Sequence, residues 1–473
     1  MTDKFLLKTA PQLDVHKWSD YPEVNAVVDA IFEEIKLLRK LKNKRIREAN
    51  KVKKHLKVII IDLWAANKLS LNPYRSISKN KSDFQIESRY RKIFLKFDYF
   101  VPVINDLVEL KYIDEKLGYR FAHDAKRTRV KAKEKLIKKI LTSTYGVNEI
   151  IKSVGLIPVI TSEGEAESII LRNVDGKIVE YDDTESTTIM RDNLRLINDK
   201  IKQTRISLEI TDQQYVELLE AINTTQDPER RTIDFTNVNL HRVFNNSSWT
   251  QGGRFYGGWW QNIPKEFRKY IDINHKPTVE LDYSGHHIRM LYAAEGLEPP
   301  EDPYDLTEFK REDQKLAVLT MLNASDKNAA LKAMANKGIL KAKRLSSVLS
   351  GRHSQIQQHF FTGVGVNLMY QDSQVAEKVM LQMHDLGATV LPVHDSFIVR
   401  NSYADELEEV MKNVFEEQYA QSASLKYKKT MLDEVQHNRE LSEQTQDFVT
   451  NDLSQLLSDR LDNYKWNISM WGL

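Results

Sequence analysis

Polar residues dominate positions 22 to 54, and the pattern predicts one long polar helix there. Apolar residues then gather around Trp64 and predict a second helix from Leu56 to Lys68. The turn-rich stretch SLNPYRSISKNKSD, which holds Pro73, interrupts the helical pattern. Two more helix-like segments follow, near Ile86 to Phe97 and Tyr99 to Leu110. Tyr112, Ile113 and Gly118-Tyr119-Arg120 suggest a short hairpin ahead of a basic stretch. Helices followed by a basic hairpin have the order of a winged helix-turn-helix, although an ordinary helical domain fits equally well. Residues 141 to 245 mix short strand-like and helical pieces. Farther on, Thr278 to Leu281 forms a strand-like run ending at Asp282, and helical character returns from His286 to Ala294. The apolar run ATVLPV, Ala388 to Val393, precedes His394-Asp395-Ser396 and then Phe397-Ile398-Val399, the pattern of a hairpin with a polar turn. The tail from 425 to 473 reads as helices.

Length and composition narrow the class. A chain of 473 residues has room for about two to four domains. With 41% hydrophobic and 29% charged residues it reads as a soluble globular protein. Its longest apolar runs, such as Val58 to Ile61, are too short to span a bilayer, and no apolar signal core opens the chain. The absence of cysteine excludes disulfide scaffolds, zinc ribbons and thiol catalysis, and fits a cytoplasmic setting.

The net charge of +2 matters less than its distribution. Between Lys36 and Lys57 the only acid is Glu48, and a second basic run covers Lys126 to Lys139. Each run is either a solvated helix face or a surface for a polyanion. A different small feature is VEYDDTEST, Val179 to Thr187. There Asp183 and Glu185 resemble the paired carboxylates that open a proofreading exonuclease, against the plainer reading of an acidic loop after a strand.

Asp282 and Asp395 each stand at the end of a strand-like run. Either could be a helix cap or a turn residue. A carboxylate at the tip of an apolar hairpin is nevertheless costly unless it is hydrated, paired or bound to a metal. Two brought together could hold two Mg²⁺ ions, which prefer oxygen ligands and phosphate oxygens. Between them, Arg311, Lys315, Leu319 and Asn323 recur at i, i+4 spacing and form one helix stripe. Such a stripe could meet a triphosphate at its cationic end, or could be an ordinary surface face.

These residues resemble family A DNA polymerases and the related single-subunit phage-type RNA polymerases. Gly253-Arg254-Phe255 followed by Gln261-Asn262-Ile263-Pro264 is similar to the family run G-R-L…Q-N-I-P. Asp282-Tyr283-Ser284 is similar to the start of motif A, with Arg289 where that motif ends. Arg311 and Lys315 have the R-x3-K spacing of motif B. His394-Asp395-Ser396 is similar to motif C, H-D-E in the DNA enzymes and H-D-S in the RNA enzymes, and Gln371-Asp372-Ser373 resembles the segment before it. The resemblance covers residues 252 to about 420. It implies that Asp282, Asp395 and the backbone carbonyl of Tyr283 hold two Mg²⁺ ions, for which Mn²⁺ can substitute. It also implies that Arg311 and Lys315 bind the nucleoside triphosphate, with Lys315 counted among the catalytic groups. Arg254, Gln261 and His394 would then meet the primer/template duplex. Trp259 and Trp260 are either a base-stacking platform or core.

Where the relatives choose the sugar, this sequence departs from both. Family A DNA polymerases place a glutamate where His287 stands and a tyrosine where Asn323 stands. Leu319 matches the aliphatic residue of the RNA enzymes. His287 and Asn323 are therefore expected to form a substitute gate, with the asparagine orienting the imidazole. D-Y-S, G-R-F and Q-N-I-P favour DNA synthesis, while H-D-S and Leu319 favour RNA.

The expected fold class is α+β, a right-hand polymerase with an antiparallel palm sheet and helical fingers behind an N-terminal, mainly helical domain. The expected divisions are 1–54 for a basic helical segment and 55–140 for a winged helix. They continue with 141–245 for a connector or thumb and 246–473 for palm and fingers, the fingers near 301–374. A winged helix joined to such a core suggests a mobile element. The alternatives are an RNA polymerase or primase-like enzyme, and a DNA-binding regulator on an inactive polymerase fold. Nucleic acid and nucleoside triphosphates are the expected partners, with no membrane contact.

Overall fold

The computed structural model describes residues 3–18, 22–84, 88–90, 95–121, 124–141, 167–224, 233–235 and 237–428. The sequence expectations for Ile86 to Phe97, for part of 141–245 and for the tail beyond 428 fall wholly or partly outside these residues. Among the described residues no helix is long and apolar enough to cross a membrane.

The N-terminal part holds helices α1 (Asp3–Lys8), α2 (Pro22–Leu41), α3 (Ala49–Leu69), α4 (Phe97–Glu109) and α5 (Glu134–Leu141). Its strands are β1 (Arg75–Ile77), β2 (Ile113–Lys116), β3 (Tyr119–Phe121), β4 (Asp124–Lys126) and β5 (Thr128–Ala132). They form an antiparallel sheet in the order β1-β5-β2, with β3 and β4 as a separate ribbon. The polar helix expected over 22–54 is in fact two, broken at the turn before Ala49. Asn43, at φ 54°, ends α2 in the left-handed conformation that asparagine tolerates. α2 and α3 share one core, in which Ile31, Ile35, Leu56, Ile60 and Trp64 pack with Ile104 and Leu107 of α4. α3 thus runs across position 55 without interruption. β5 alternates buried and half-buried residues, the mark of a strand with one face on the core. The second basic run is therefore half strand and half helix.

The larger part contains α6 (Glu185–Lys202), α7 (Asp212–Thr224), α8 (His286–Ala294), α9 (Arg311–Asn323), α10 (Lys327–Asn336), α11 (Ala342–Arg352), α12 (Gly365–Asp385) and α13 (Ala404–Tyr419). Its strands are β6 (Ile169–Leu171), β7 (Ile206–Leu208), β8 (His241–Phe244), β9 (Gly252–Tyr256), β10 (Ile271–Ile273), β11 (Lys276–Tyr283), β12 (Leu391–Val393), β13 (Ser396–Arg400) and β14 (Leu425–Tyr427). The main sheet runs β12-β13-β11-β10-β7, with β14 also on β11, and all its pairings are antiparallel. The fold is thus α+β with an antiparallel sheet. β11 has partners on both sides and is buried from Thr278 to Leu281, which suits its run of Thr, Val, Glu and Leu.

A smaller sheet, β6-β8-β9, lies against α12. Gly253, at φ 78°, permits that approach, since a Cβ there would meet Ser373 Oγ at 2.8 Å and Phe244 at 2.9 Å. The two parts of the chain meet at a buried charge cluster. Arg75 of β1 donates to Asp62 at 3.1 Å and to Asp234 at 2.5 Å, and Lys17 pairs with Asp62 at 2.7 Å.

Candidate active site

Two aspartates meet at one end of the main sheet because of its register. Asp282 lies opposite Ser396 on the paired strand, and Tyr283 N donates to Asp395 O at 3.2 Å. Val393 pairs with Ser396, so His394-Asp395 is a two-residue turn. His394 takes φ 61° there, a left-handed conformation that costs a non-glycine residue about 1 kcal/mol. The aspartates open into a cleft of 270 Å³ that Gln261, Lys265, Arg268, His394 and Lys428 also line.

The two carboxylates share this cleft with Lys265, Arg268 and Lys428. Burial, and next the charge of Asp395, push the Asp282 carboxyl up to about 6. Lys428 offsets part of this, with Nζ 3.7 Å from Asp282 Oδ1. β14 delivers Lys428, whose backbone N donates to Glu280 O at 2.9 Å. Glu280 is buried beside the aspartates and is shared by three partners: Lys428 at 2.5 Å, Ser396 Oγ at 2.7 Å and Arg268 at 3.3 Å.

The stripe expected on one helix is present on α9, where Arg311, Lys315, Leu319 and Asn323 are all exposed. Burial and the neighbouring Arg311 hold the Lys315 ammonium below its ordinary value, while the charge of Asp282 pulls it back up. Arg311 and Lys315 stand 5.5 Å and 5.7 Å from the ring centre of Tyr304. Burial, then the charge of Asp395, raise the Tyr304 phenol to about 12. Tyr304 thus lies beside the cations of α9 and within reach of the charge of Asp395. Arg311 also pairs with Asp302 and donates to Tyr304 O at 3.1 Å.

Behind the cleft, Arg254 of β9 donates Nε to Asp372 of α12 at 2.7 Å, and its Nη2 lies 3.2 Å from His287 Nε2. Asp372 is 2% exposed. Burial alone would raise its carboxyl, but Arg254 and the two histidines hold it well below the usual carboxylate range. His286 Nε2 lies 3.4 Å from Asp372 Oδ1, in ion-pair range but outside hydrogen-bond geometry. Burial, reinforced by Arg254, lowers the His287 imidazole to about 4. A neutral ring facing a guanidinium accepts at Nε2 and keeps its proton on Nδ1.

Several expected residues are engaged elsewhere. Asn323 donates to Leu319 O of its own helix at 2.8 Å, and its amide lies against Gly365. The partner that orients His287 is Arg254, and the expected asparagine–imidazole pair is not among the hydrogen bonds of the described residues. Trp259 and Trp260 are 1% and 0% exposed, and Trp260 Nε1 donates to Pro392 O at 3.0 Å. Both are core, which removes the stacking platform. Gln261 donates to Phe255 O and Pro392 O, both at 3.0 Å, and ties β9 to β12 at the rim of the cleft. The side chain of Tyr283 is buried, with its hydroxyl donating to Met411 O at 2.7 Å, so only its backbone is available to the cleft. Arg289 closes the turn after Asp282 by donating to Ser284 O at 3.0 Å and Glu301 O at 2.7 Å. His394 packs edge-on to Tyr256, with ring centres 5.9 Å apart.

Asp183 is held by Arg89 and Arg191, each at 2.9 Å, and Thr184 caps α6 in a reciprocal pair with Thr187. Arginines satisfy the carboxylate, and the helix cap explains the threonine, so the exonuclease resemblance gains nothing here. Asp372 had no role in the sequence reading beyond its place in a motif-like segment. A signal was present: with Ala376, Val379 and Met383 it occupies the buried stripe of α12. A carboxylate at a core position of a helix needs a cation. Tyr304, Glu280 and Lys428 carry no comparable mark.

No protein-family model matches the chain, and no curated protein matches it. Among solved structures it is similar to the POL domain of Pol1 from M. smegmatis in complex with DNA primer-template and dNTP, at 12% identity and a TM-score of 0.26. The match covers 52% of this chain and 52% of that chain. At that score the reading of the site rests on its own residues.

Proposed function

We propose that this chain catalyses template-directed nucleotidyl transfer to a primer 3′-hydroxyl, with DNA as the product. The observation that carries the reading is the meeting of Asp282 and Asp395 in one cleft, with Lys315 near enough for its charge to act on Asp282. Asp395 raises the proton affinity of Asp282, so the pair forms a site that gains from a cation, and their hard oxygens suit Mg²⁺. Among the described residues no group of three or more His, Asp or Glu is arranged to hold a metal. Asp282, Asp395 and the carbonyl of Tyr283 would hold two ions, with water and phosphate oxygens completing the shell. Bound there, the ions would lower the pKa of the 3′-hydroxyl and neutralise the leaving pyrophosphate.

The chain's own residues do the rest. Lys315 and Arg311 offer charge-assisted contacts to a triphosphate, against the ring of Tyr304. Arg254, fixed by Asp372, presents its guanidinium beside His287. The likeness of Gly253-Arg254-Phe255, Gln261-Asn262-Ile263-Pro264 and Asp282-Tyr283-Ser284 to the DNA enzymes favours DNA as the product. The glutamate that follows the motif C aspartate in the DNA enzymes is missing, but a buried carboxylate reaches that position from β11. Ser396 and Leu319, the latter exposed on α9, are what favour the second reading, an RNA product. Purified protein, primed template and Mg²⁺ with separate dNTP and NTP pools test both. Extension with dNTPs is expected; extension with NTPs alone would give the second reading, and none with either would remove the proposal.

A further inference from the structure

We infer that the turn between α2 and α3, carrying Lys40, Lys44, Arg45 and Arg47, is a contact surface for the phosphate backbone of duplex DNA. The first basic run is not one continuous cationic face. Lys36 pairs with Glu33, Arg39 with Asp106, Lys42 with Glu109, Lys51 with Glu48 and Lys53 with Asp29. Lys57 donates to Asn25 and covers the ring of Trp18. The four residues named above make no hydrogen bond or ion pair to a carboxylate among the described residues, and all four are exposed. They fall within eight positions at the end of α2 and in the turn after it.

α4, between β1 and β2, is poorly suited to lie in a DNA groove. It contains no Lys or Arg, and its outward residues are Asp98, Asn105 and Glu109. Lys79 occupies Asn105 at 2.8 Å, and Lys42 occupies Glu109. An acidic helix face is repelled by DNA, whereas four clustered cations with no ion pair among the described residues gain by releasing the ions condensed on phosphates, although Asp106 draws on the charge of Lys44. Contact through the turn would therefore be with the backbone and indifferent to base sequence.

An anionic membrane offers the same charge. Leu37 and Leu41 are 64% and 84% exposed beside the patch. Val24, Val27, Val28, Ile31, Phe32 and Ile35 of α2 are in the core. Two leucines do not make the broad apolar face with which an interfacial helix inserts, so the charge complementarity points to DNA. The inference goes beyond the catalytic reading and relies on it only for the choice of polyanion.

The test uses the full chain and a variant with Lys40→Gln, Lys44→Gln, Arg45→Gln and Arg47→Gln. Fluorescence anisotropy follows binding to a blunt duplex between 50 and 200 mM salt. Each lost phosphate contact reduces the slope of log K against log salt by about 0.9, so the slope should become shallower by about 3 to 4. A second variant, Lys36→Gln with Lys51→Gln and Lys53→Gln, removes cations that already have partners and should change the slope by less than about 1. Circular dichroism checks that both variants are folded. Primer extension at saturating DNA should match the parent chain, which separates this surface from the catalytic cleft. An unchanged slope, an equal effect of the control variant, or loss of binding only to phosphatidylserine vesicles would overturn the inference.

Discussion

Replacing Asp282 with asparagine should stabilise the metal-free protein above pH 6 while abolishing its function. Burial and the Asp395 carboxylate raise the Asp282 carboxyl from 3.8 to about 6. The unfolded chain ionises this group at its ordinary value, so between pH 4 and 6 the folded state binds more protons. Stability contributed by this residue therefore falls as pH rises through that window and stays lower above it. At 1.36 kcal/mol per tenfold change in proton affinity, the penalty approaches about 3 kcal/mol. The side chain is 28% exposed, and solvent screening makes that figure an upper bound. The asparagine side chain has the same shape and no charge. Urea unfolding in EDTA at pH 4 and pH 8 measures the difference: similar midpoints at pH 4, and a higher midpoint for Asp282→Asn at pH 8. Mg²⁺ at ten times its Kd should then add about 1.4 kcal/mol to the parent protein and nothing to the variant. The reasoning fails if the variant is the less stable protein at pH 8, or if Mg²⁺ stabilises both equally.

Four further outcomes are expected. A double-mutant cycle on Asp372→Asn and Arg254→Met should give a coupling of about 3 kcal/mol, as for a buried charge pair; a value under about 1 kcal/mol would mean that Asp372 does not anchor the arginine. The Asp372 carboxyl is depressed, so the stability it contributes is present above about pH 4 and lost on further acidification; Asp372→Asn should flatten the acid limb of the unfolding profile. Lys315→Ala should lower kcat/KM for the nucleotide by about 10- to 100-fold with primer/template affinity unchanged, the size of a lost hydrogen bond to a charged group. Losing duplex affinity instead would move Lys315 out of the nucleotide site. His287→Ala should alter the dNTP/NTP preference far more than primer binding; equal losses with both nucleotide types would make the imidazole a support for Arg254.

What could be read from the sequence was local. The strand-like run into Asp282, the hairpin around Asp395 and the α9 stripe each depend on residues within one or two turns of one another, and all are present. The long helix expected over 22–54 failed for a local reason as well: one asparagine able to adopt positive φ ended it. The remainder depended on distant partners. The basic run looked uniform in part because two of its counter-charges, Asp106 and Glu109, come from a helix more than sixty positions away. Asn323 is a suitable hydrogen-bonding group for His287 by chemistry, but helical geometry gave its amide to Leu319 O. The Arg254–Asp372 pair spans two elements that nothing in the local pattern connects. Glu280 looked like one more residue of an apolar strand, and became part of the site only when β13 and β14 closed on either side of it.

The decisive measurement is single-turnover primer extension in Mg²⁺ by the parent chain, Asp282→Asn and Asp395→Asn, with duplex affinity measured in parallel. Two aspartates that hold the metal ions require extension by the parent chain. They also require a rate loss of about a thousand-fold or more in each variant, and little change in DNA binding. Extension that survives either substitution would contradict the assignment, as would a loss that merely follows weaker DNA binding.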